Sequence, residues 1–120
     1  MLRKEHILGA WKLVSHEKQL EDGSFVPTSS GAHGRILYTP EGFMSASINW
    51  DDRFLFYSGR FDFRERDQTV VHHVENATED WRMGKSLERR ASLEGDSLAL
   101  EGKVTNGYGR ILWQREKSEA

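Results

Sequence analysis

Apolar and polar residues alternate along most of this chain with a period of two. In "YSGRFDFR", Tyr57, Gly59, Phe61 and Phe63 fall on one face, with Ser58, Arg60, Asp62 and Arg64 on the other. In "DWRMGKSLER", Trp81, Met83, Lys85, Leu87 and Arg89 oppose Arg82, Gly84, Ser86, Glu88 and Arg90, and in "DSLALEG" Leu98 and Leu100 share a face. Successive side chains of a strand point to opposite sides of its sheet, so this pattern marks strands with one face in a core and one in water. Such strands belong to antiparallel sheets. Turn signals recur at short intervals: "EDGS" at 21–24, "TPEG" at 39–42, "WDDR" at 50–53, "RERDQ" at 64–68, "NATED" at 76–80, "EGDS" at 94–97 and "TNGYG" at 105–109. Between them the pattern predicts eight strands, at about 10–20, 34–39, 43–50, 55–64, 68–76, 81–93, 97–102 and 109–116. Connections this short join neighbouring antiparallel strands. The expected fold is all-β, an antiparallel up-and-down eight-stranded barrel, because closing the sheet removes its exposed edges. A flattened sandwich is the alternative. The one helical turn expected lies near residues 3–8, where Leu2, Ile7 and Leu8 could close a barrel end.

Composition narrows the picture. At 120 residues the chain is read as one domain, 1–120, long enough for a single core. The formal net charge of -2 gives no reason to expect nucleic acid or an anionic membrane surface as a partner. No apolar run approaches the roughly 18 residues of a membrane-spanning helix. The N-terminal "MLRKEHILGAW" lacks the apolar stretch of a secretion signal. Without cysteines the chain has neither disulfides nor thiolate metal sites, which fits a reducing, cytoplasmic setting.

The stretch "GAWKLVS" adds detail to the barrel. Gly9 lets the chain turn sharply into the first strand, and Trp11 then points inward to plug the barrel end. The last strand, "RILWQRE", lies beside the first in a closed barrel and brings Trp113 and Arg115 to that closure. Arg115 could sit over the Trp11 indole; an ordinary core Trp without a stacked cation is the other reading. A Gly-x-Trp on the first strand, an eight-strand meander and an Arg on the last resemble the lipocalin superfamily. More specifically, "LGAWKLVS" (8–15), "GRILYTPEGFMSA" (34–46), "YSGRF" (57–61), "VVHHVE" (70–75), "WRMGKSLER" (81–89), "LEGDSLAL" (93–100) and "RILWQR" (110–115) resemble, in order, the lipocalin-like domain family of small bacterial and fungal proteins. The resemblance covers nearly the whole chain. It implies a barrel with a ligand cavity. One departure is Leu87, where the family implies a Gln, and this makes the surroundings of Arg89 more apolar.

Several residues are candidates for chemistry. His72 and His73 are adjacent on a strand and face opposite sides, so they cannot share a metal ion; no metal-ligand spacing links the five histidines. The resemblance implies that His72 is the inward one, as a hydrogen-bonded structural residue, a ligand contact or a general base. Arg89 shares its face with Trp81, Met83 and Leu87, and a buried guanidinium needs a partner. That partner is either an internal carboxylate, with Glu17 and Asp62 as candidates, or an anionic ligand. Tyr38 and Tyr57 offer rings and hydroxyls, or plain packing at a barrel end. On 43–50, Phe43, Ser45, Ser47 and Asn49 oppose Met44, Ala46, Ile48 and Trp50, and alternation leaves open which set is inside. Phosphate loops, nucleophile elbows and dinucleotide fingerprints are absent.

The expected function is therefore binding of a small, partly apolar or aromatic molecule with an anionic or carbonyl group, through Tyr38, Tyr57, Phe61, His72, Trp81, Met83 and Arg89, without a cofactor or metal. Gly9, Trp11, Trp113 and Arg115 are expected to close the barrel. The alternative is a cofactor-independent isomerase, cyclase or lyase with His72 as the catalytic base. A homodimer through one outer sheet face is left open.

Overall fold

The computed structural model describes residues 1–28, 31–50, 52–104 and 107–117. Asp51 of the 50–53 turn and Thr105 and Asn106 of the 105–109 turn lie outside them. A single helical turn, α1 (Lys4–Ile7), precedes nine strands: β1 (Gly9–Gln19), β2 (Phe25–Pro27), β3 (His33–Tyr38), β4 (Phe43–Asn49), β5 (Phe54–Arg64), β6 (Thr69–Ala77), β7 (Ser86–Glu94), β8 (Ser97–Val104) and β9 (Gly107–Arg115). The order is β2-β1-β3-β4-β5-β6-β7-β8-β9, every described pairing is antiparallel, and β1 also pairs with β9. Eight strands thus close an up-and-down barrel, and β2 is an added ribbon on the far half of β1.

Period-two alternation sets the faces. Inside lie Trp11 and Leu13, Ile36 and Tyr38, Met44, Ala46 and Ile48, Leu55, Tyr57 and Phe61, Val70, His72 and Val74, Ala91, Leu98 and Leu100, and Trp113. The question left by 43–50 is answered here: the methionine face is buried, and Ser45, Ser47 and Asn49 point outward. Interdigitated apolar side chains make this one continuous core.

The barrel has a closed and an open end. At the closed end, Gly9 turns the chain at φ 112°, a conformation that favours glycine. Trp11 follows, buried, its Nε1–H donating to the Ile7 carbonyl of α1 at 2.9 Å. The Arg115 guanidinium lies 4.2 Å from the Trp11 ring centroid and donates to the carbonyls of His6 (2.7 Å) and Leu8 (3.1 Å). Helix turn, first strand and last strand are tied together there. The β4–β5, β6–β7 and β8–β9 connections gather at the opposite end, open in the sense that no α-helix covers it among the described residues.

Two expectations need correction. The short strand Phe25–Pro27 has no period-two run long enough to reveal it, and its pairing with β1 defines it. The strand expected at 81–93 begins only at Ser86. Residues Asp80–Arg82 form a 3₁₀ turn, closed by the Arg82 N–H on the Glu79 carbonyl and the Met83 N–H on that of Asp80. Gly84, at φ 79°, then redirects the chain. The apparent alternation through Trp81 and Met83 was produced by a turn whose residues happen to alternate in polarity.

Candidate functional site

The most unusual feature of the core is a polar chain through it. His72, on β6, is flanked by two phenols from other strands. The Tyr38 hydroxyl, at the end of β3, lies 2.6 Å from Nε2, and the Tyr57 hydroxyl, on β5, lies 2.9 Å from Nδ1. Sheet register explains the assembly: Phe61 pairs with His72, while Tyr57, earlier on β5, pairs with Ala77, so its ring approaches the imidazole from the open end. Tyr38 pairs with Gly9 and Met44 and approaches from the closed end. Its ring also packs on Phe61, centroid to centroid 4.7 Å.

Burial controls the charge state of this chain. Desolvation, reinforced by the positive charges of Arg89 and then His73, pushes the His72 pKa down to about 3, so the imidazole is neutral near pH 7. Desolvation raises Tyr38 well above the ordinary phenol range, with the charge of Tyr57 adding and Arg89 opposing. Tyr57 is also raised by burial, against the pull of Arg89 and then Arg82. Both phenols therefore keep their protons, and the chain is a neutral hydrogen-bonding array.

Two arginines border it. Arg89 lies on the inward side of β7 with Leu87, Ala91 and Leu93. It crosses over Gly102 of β8, where a Cβ would come within 2.9 Å of its Nη1, so the missing side chain makes the room it occupies. Its Nη1 donates to the Glu88 carbonyl at 2.8 Å. Among the described residues no carboxylate lies within ion-pair distance of it. The two candidates expected are engaged elsewhere: Glu17 accepts from Arg110 at 2.8 Å, and Asp62 points outward to His73 at 2.9 Å. Both belong to the outer face, set by the alternation of their strands. Arg82 was not foreseen, because a regular strand would have turned it outward. From the 3₁₀ turn its guanidinium lies 5.9 Å from the Tyr57 ring centroid and 4.3 Å from that of Trp81, with its side chain only 13% exposed. Glu79 holds it there (3.1 Å) and also accepts from Trp81 Nε1 (3.1 Å).

Of the binding residues expected, Tyr38, Tyr57, Phe61 and His72 are brought together in the core, and Arg89 acts on them by its charge. Trp81 and Met83 are not part of the barrel lining. They sit on the open rim, 49% and 46% exposed, because the 3₁₀ turn lifts them out of the wall. Deeper, Trp113 Nε1 is buried without a hydrogen-bond partner among the described residues, a cost of about 1–3 kcal/mol. Outside the barrel, His73 bridges Asp62 and Ser86, but with Asp62 78% exposed this chain stands in water. Among the described residues no group of three or more His, Asp or Glu could hold a metal ion, and no helix is long and apolar enough to cross a membrane. Two surface hollows, of about 360 Å³ at Lys12, Arg35 and Asn49 and about 440 Å³ at Leu2, Gln68 and Leu93, include none of the core polar residues.

Comparison with known proteins agrees with this architecture. The sequence profile of the lipocalin-like domain family matches residues 8–54 and 51–114. Among solved structures the chain is similar to a redesigned β-barrel, with a TM-score of 0.54 and 15% identity over 94% of each chain, a likeness of fold. No curated protein matches the sequence.

Proposed function

The chain belongs to the lipocalin-like domain family, and from that premise we propose that it binds a small, partly aromatic or apolar molecule whose anionic or carbonyl oxygen is held at the open end, above Tyr57, between Arg82 and Arg89. The family's barrel suits ligand binding in general. The observation that carries the finer reading is Arg89: an inward-facing cation without a carboxylate partner among the described residues, beside a neutral array of hydrogen-bonding groups. A partly buried guanidinium in that position is stabilised by an incoming anion. Trp81 and Met83 offer rim surface for an aromatic body. Tyr57 is 7% exposed, with Arg82 over its ring, so the ligand reaches it by drawing Arg82 away from Glu79.

A general base at His72 is the weaker reading. An imidazole whose pKa lies near 3 is a poor proton acceptor at neutral pH, and efficient general bases titrate nearer the working pH.

The test is titration with benzoate, phenylacetate and cinnamate, followed by tryptophan fluorescence and by native mass spectrometry. Saturable quenching with one ligand per chain is expected, and Arg89→Met should weaken it at least about ten-fold, the loss typical of one charge-assisted contact. Flat titrations with all three acids, or equal affinity in Arg89→Met, would count against the reading.

A further inference from the structure

The buried Tyr38–His72–Tyr57 chain holds more donor hydrogens than its two contacts use. A neutral imidazole has one N–H donor and one acceptor nitrogen, and each phenol has one O–H. The chain therefore contains three donor hydrogens, but its two contacts, Tyr38–Nε2 and Tyr57–Nδ1, use only two. Neither hydroxyl has another partner among the described residues. One phenolic hydrogen is therefore left over, and the tautomer of His72 decides which phenol carries it.

The two choices are unequal. With the proton on Nε2, the imidazole donates to Tyr38 oxygen, and the spare O–H belongs to Tyr38. Tyr38 is only 2% exposed, its ring packed on Phe61, and an unpaired donor there is costly. With the proton on Nδ1, Tyr38 donates to Nε2, Nδ1–H donates to Tyr57, and the spare O–H belongs to Tyr57, the less buried of the two phenols, whose ring centroid lies 5.9 Å from the Arg82 guanidinium. The hydrogen bonds then run in one direction, Tyr38 to His72 to Tyr57 and outward, and each polarises the next.

We propose that the ligand presents a hydrogen-bond acceptor to the Tyr57 hydroxyl, and that in accepting it fixes His72 as the Nδ1–H tautomer. The inference rests on the binding reading above and sharpens it. The positive charges of Arg89 and Arg82 both act on Tyr57, with Arg82 over its ring, so the site selects oxyanions and carbonyl oxygens and rejects ligands that present a cationic donor. Tyr57 is the contact group. Tyr38 and His72 are positioning residues: they aim and polarise a hydroxyl they do not share with the ligand.

The experiment uses protein labelled with ¹⁵N in its histidine rings, with benzoate and its cationic counterpart benzylammonium as probes. The two ring nitrogens of His72 report its tautomer directly. Benzoate should bind and leave His72 wholly Nδ1–H, while benzylammonium binds at least about ten-fold more weakly. Tyr57→Phe should lower benzoate affinity at least about ten-fold and make the His72 spectrum insensitive to benzoate; Tyr38→Phe should cost less affinity. Benzoate bound to wild type with His72 as the Nε2–H tautomer overturns the inference while leaving the binding reading intact, and so does unchanged affinity in Tyr57→Phe. The wild-type spectra decide the matter even if a variant fails to fold. If benzoate, phenylacetate and cinnamate all fail to bind, the binding reading itself falls, and the tautomer proposal with it.

Discussion

At the scale of single residues, the buried imidazole sets a pH dependence. His72 has a folded-state pKa near 3 against 6.5 for an exposed histidine. The unfolded chain therefore binds the extra proton first. Above about 6.5 neither state is protonated and nothing is lost; as pH falls from there towards 3, only the unfolded state gains the proton, and stability drops by on the order of 1 kcal/mol per unit. Below about 3 the loss levels off. Urea midpoints measured between pH 7 and pH 4 should fall more steeply for the wild type than for His72→Gln, which cannot titrate there. Parallel slopes would mean that the imidazole is not shielded as described. Much of this site was legible in the residues. Arg89 stands out because alternation puts it on the face of Trp81, Met83 and Leu87, Tyr57 because it shares a face with Phe61, Tyr38 as a ring with a hydroxyl beside a turn, and His72 because the family resemblance turns it inward. Their linkage was not legible, because it depends on register between strands far apart in sequence: β3, β5 and β6 meet at His72. Nor could the pattern reveal that Arg89 goes without Glu17 and Asp62, since those carboxylates lie on the outer face, against Arg110 and His73.

At the scale of elements, the closed end concentrates stabilising contacts in one side chain. Arg115 stacks on Trp11 and donates to two carbonyls around α1, a helix too short to persist alone. Arg115→Met should remove about 2–4 kcal/mol, combining charge-assisted hydrogen bonds and the ring contact. Thermal unfolding gives the size, and faster amide exchange confined to residues 3–9 gives the location; an unchanged midpoint would show that α1 is held by apolar packing alone. Element boundaries show where patterning works and where it misleads. The long strands β1, β5 and β6 announce themselves by alternation and by clear turns. The connection between β6 and β7 does not, since Trp81, Arg82, Met83 and Gly84 alternate in polarity like a strand while folding as a turn. That turn supplies Arg82, the group over Tyr57, so the misread element is also the one that completes the candidate site.

At the scale of the whole molecule, the end proposed for binding is lined by loops, and the other is sealed by α1. Substitutions at the rim, such as Trp81→Ala, should change affinity for aryl acids while shifting the melting midpoint little, since Trp81 is half exposed and meets Arg82 over its ring and Glu79 through Nε1, both on the same exposed turn. A large fall in stability would show that the 3₁₀ turn anchors the barrel instead. The eight-strand meander and its closure were readable from strand count and connection length; the ribbon added by β2 was not, being three residues long.

The seam between β1 and β9 has a further consequence, in time. Arg115 meets the Leu8 carbonyl across 107 residues of chain, and β1 from Trp11 to Lys18, except Val14 at a bulge, finds partners on β9. On the ribosome, β1 is made before every other strand of the barrel and its seam partner β9 after them all. Until β9 emerges, the nascent sheet has two raw edges, on β1 and on β8, each able to pair with a neighbouring chain. Synthesis of the final strand is then the event that turns a sticky ribbon into a closed barrel, and a ribosome stalled before Gly107 would hold out the form most prone to exchange strands with another copy.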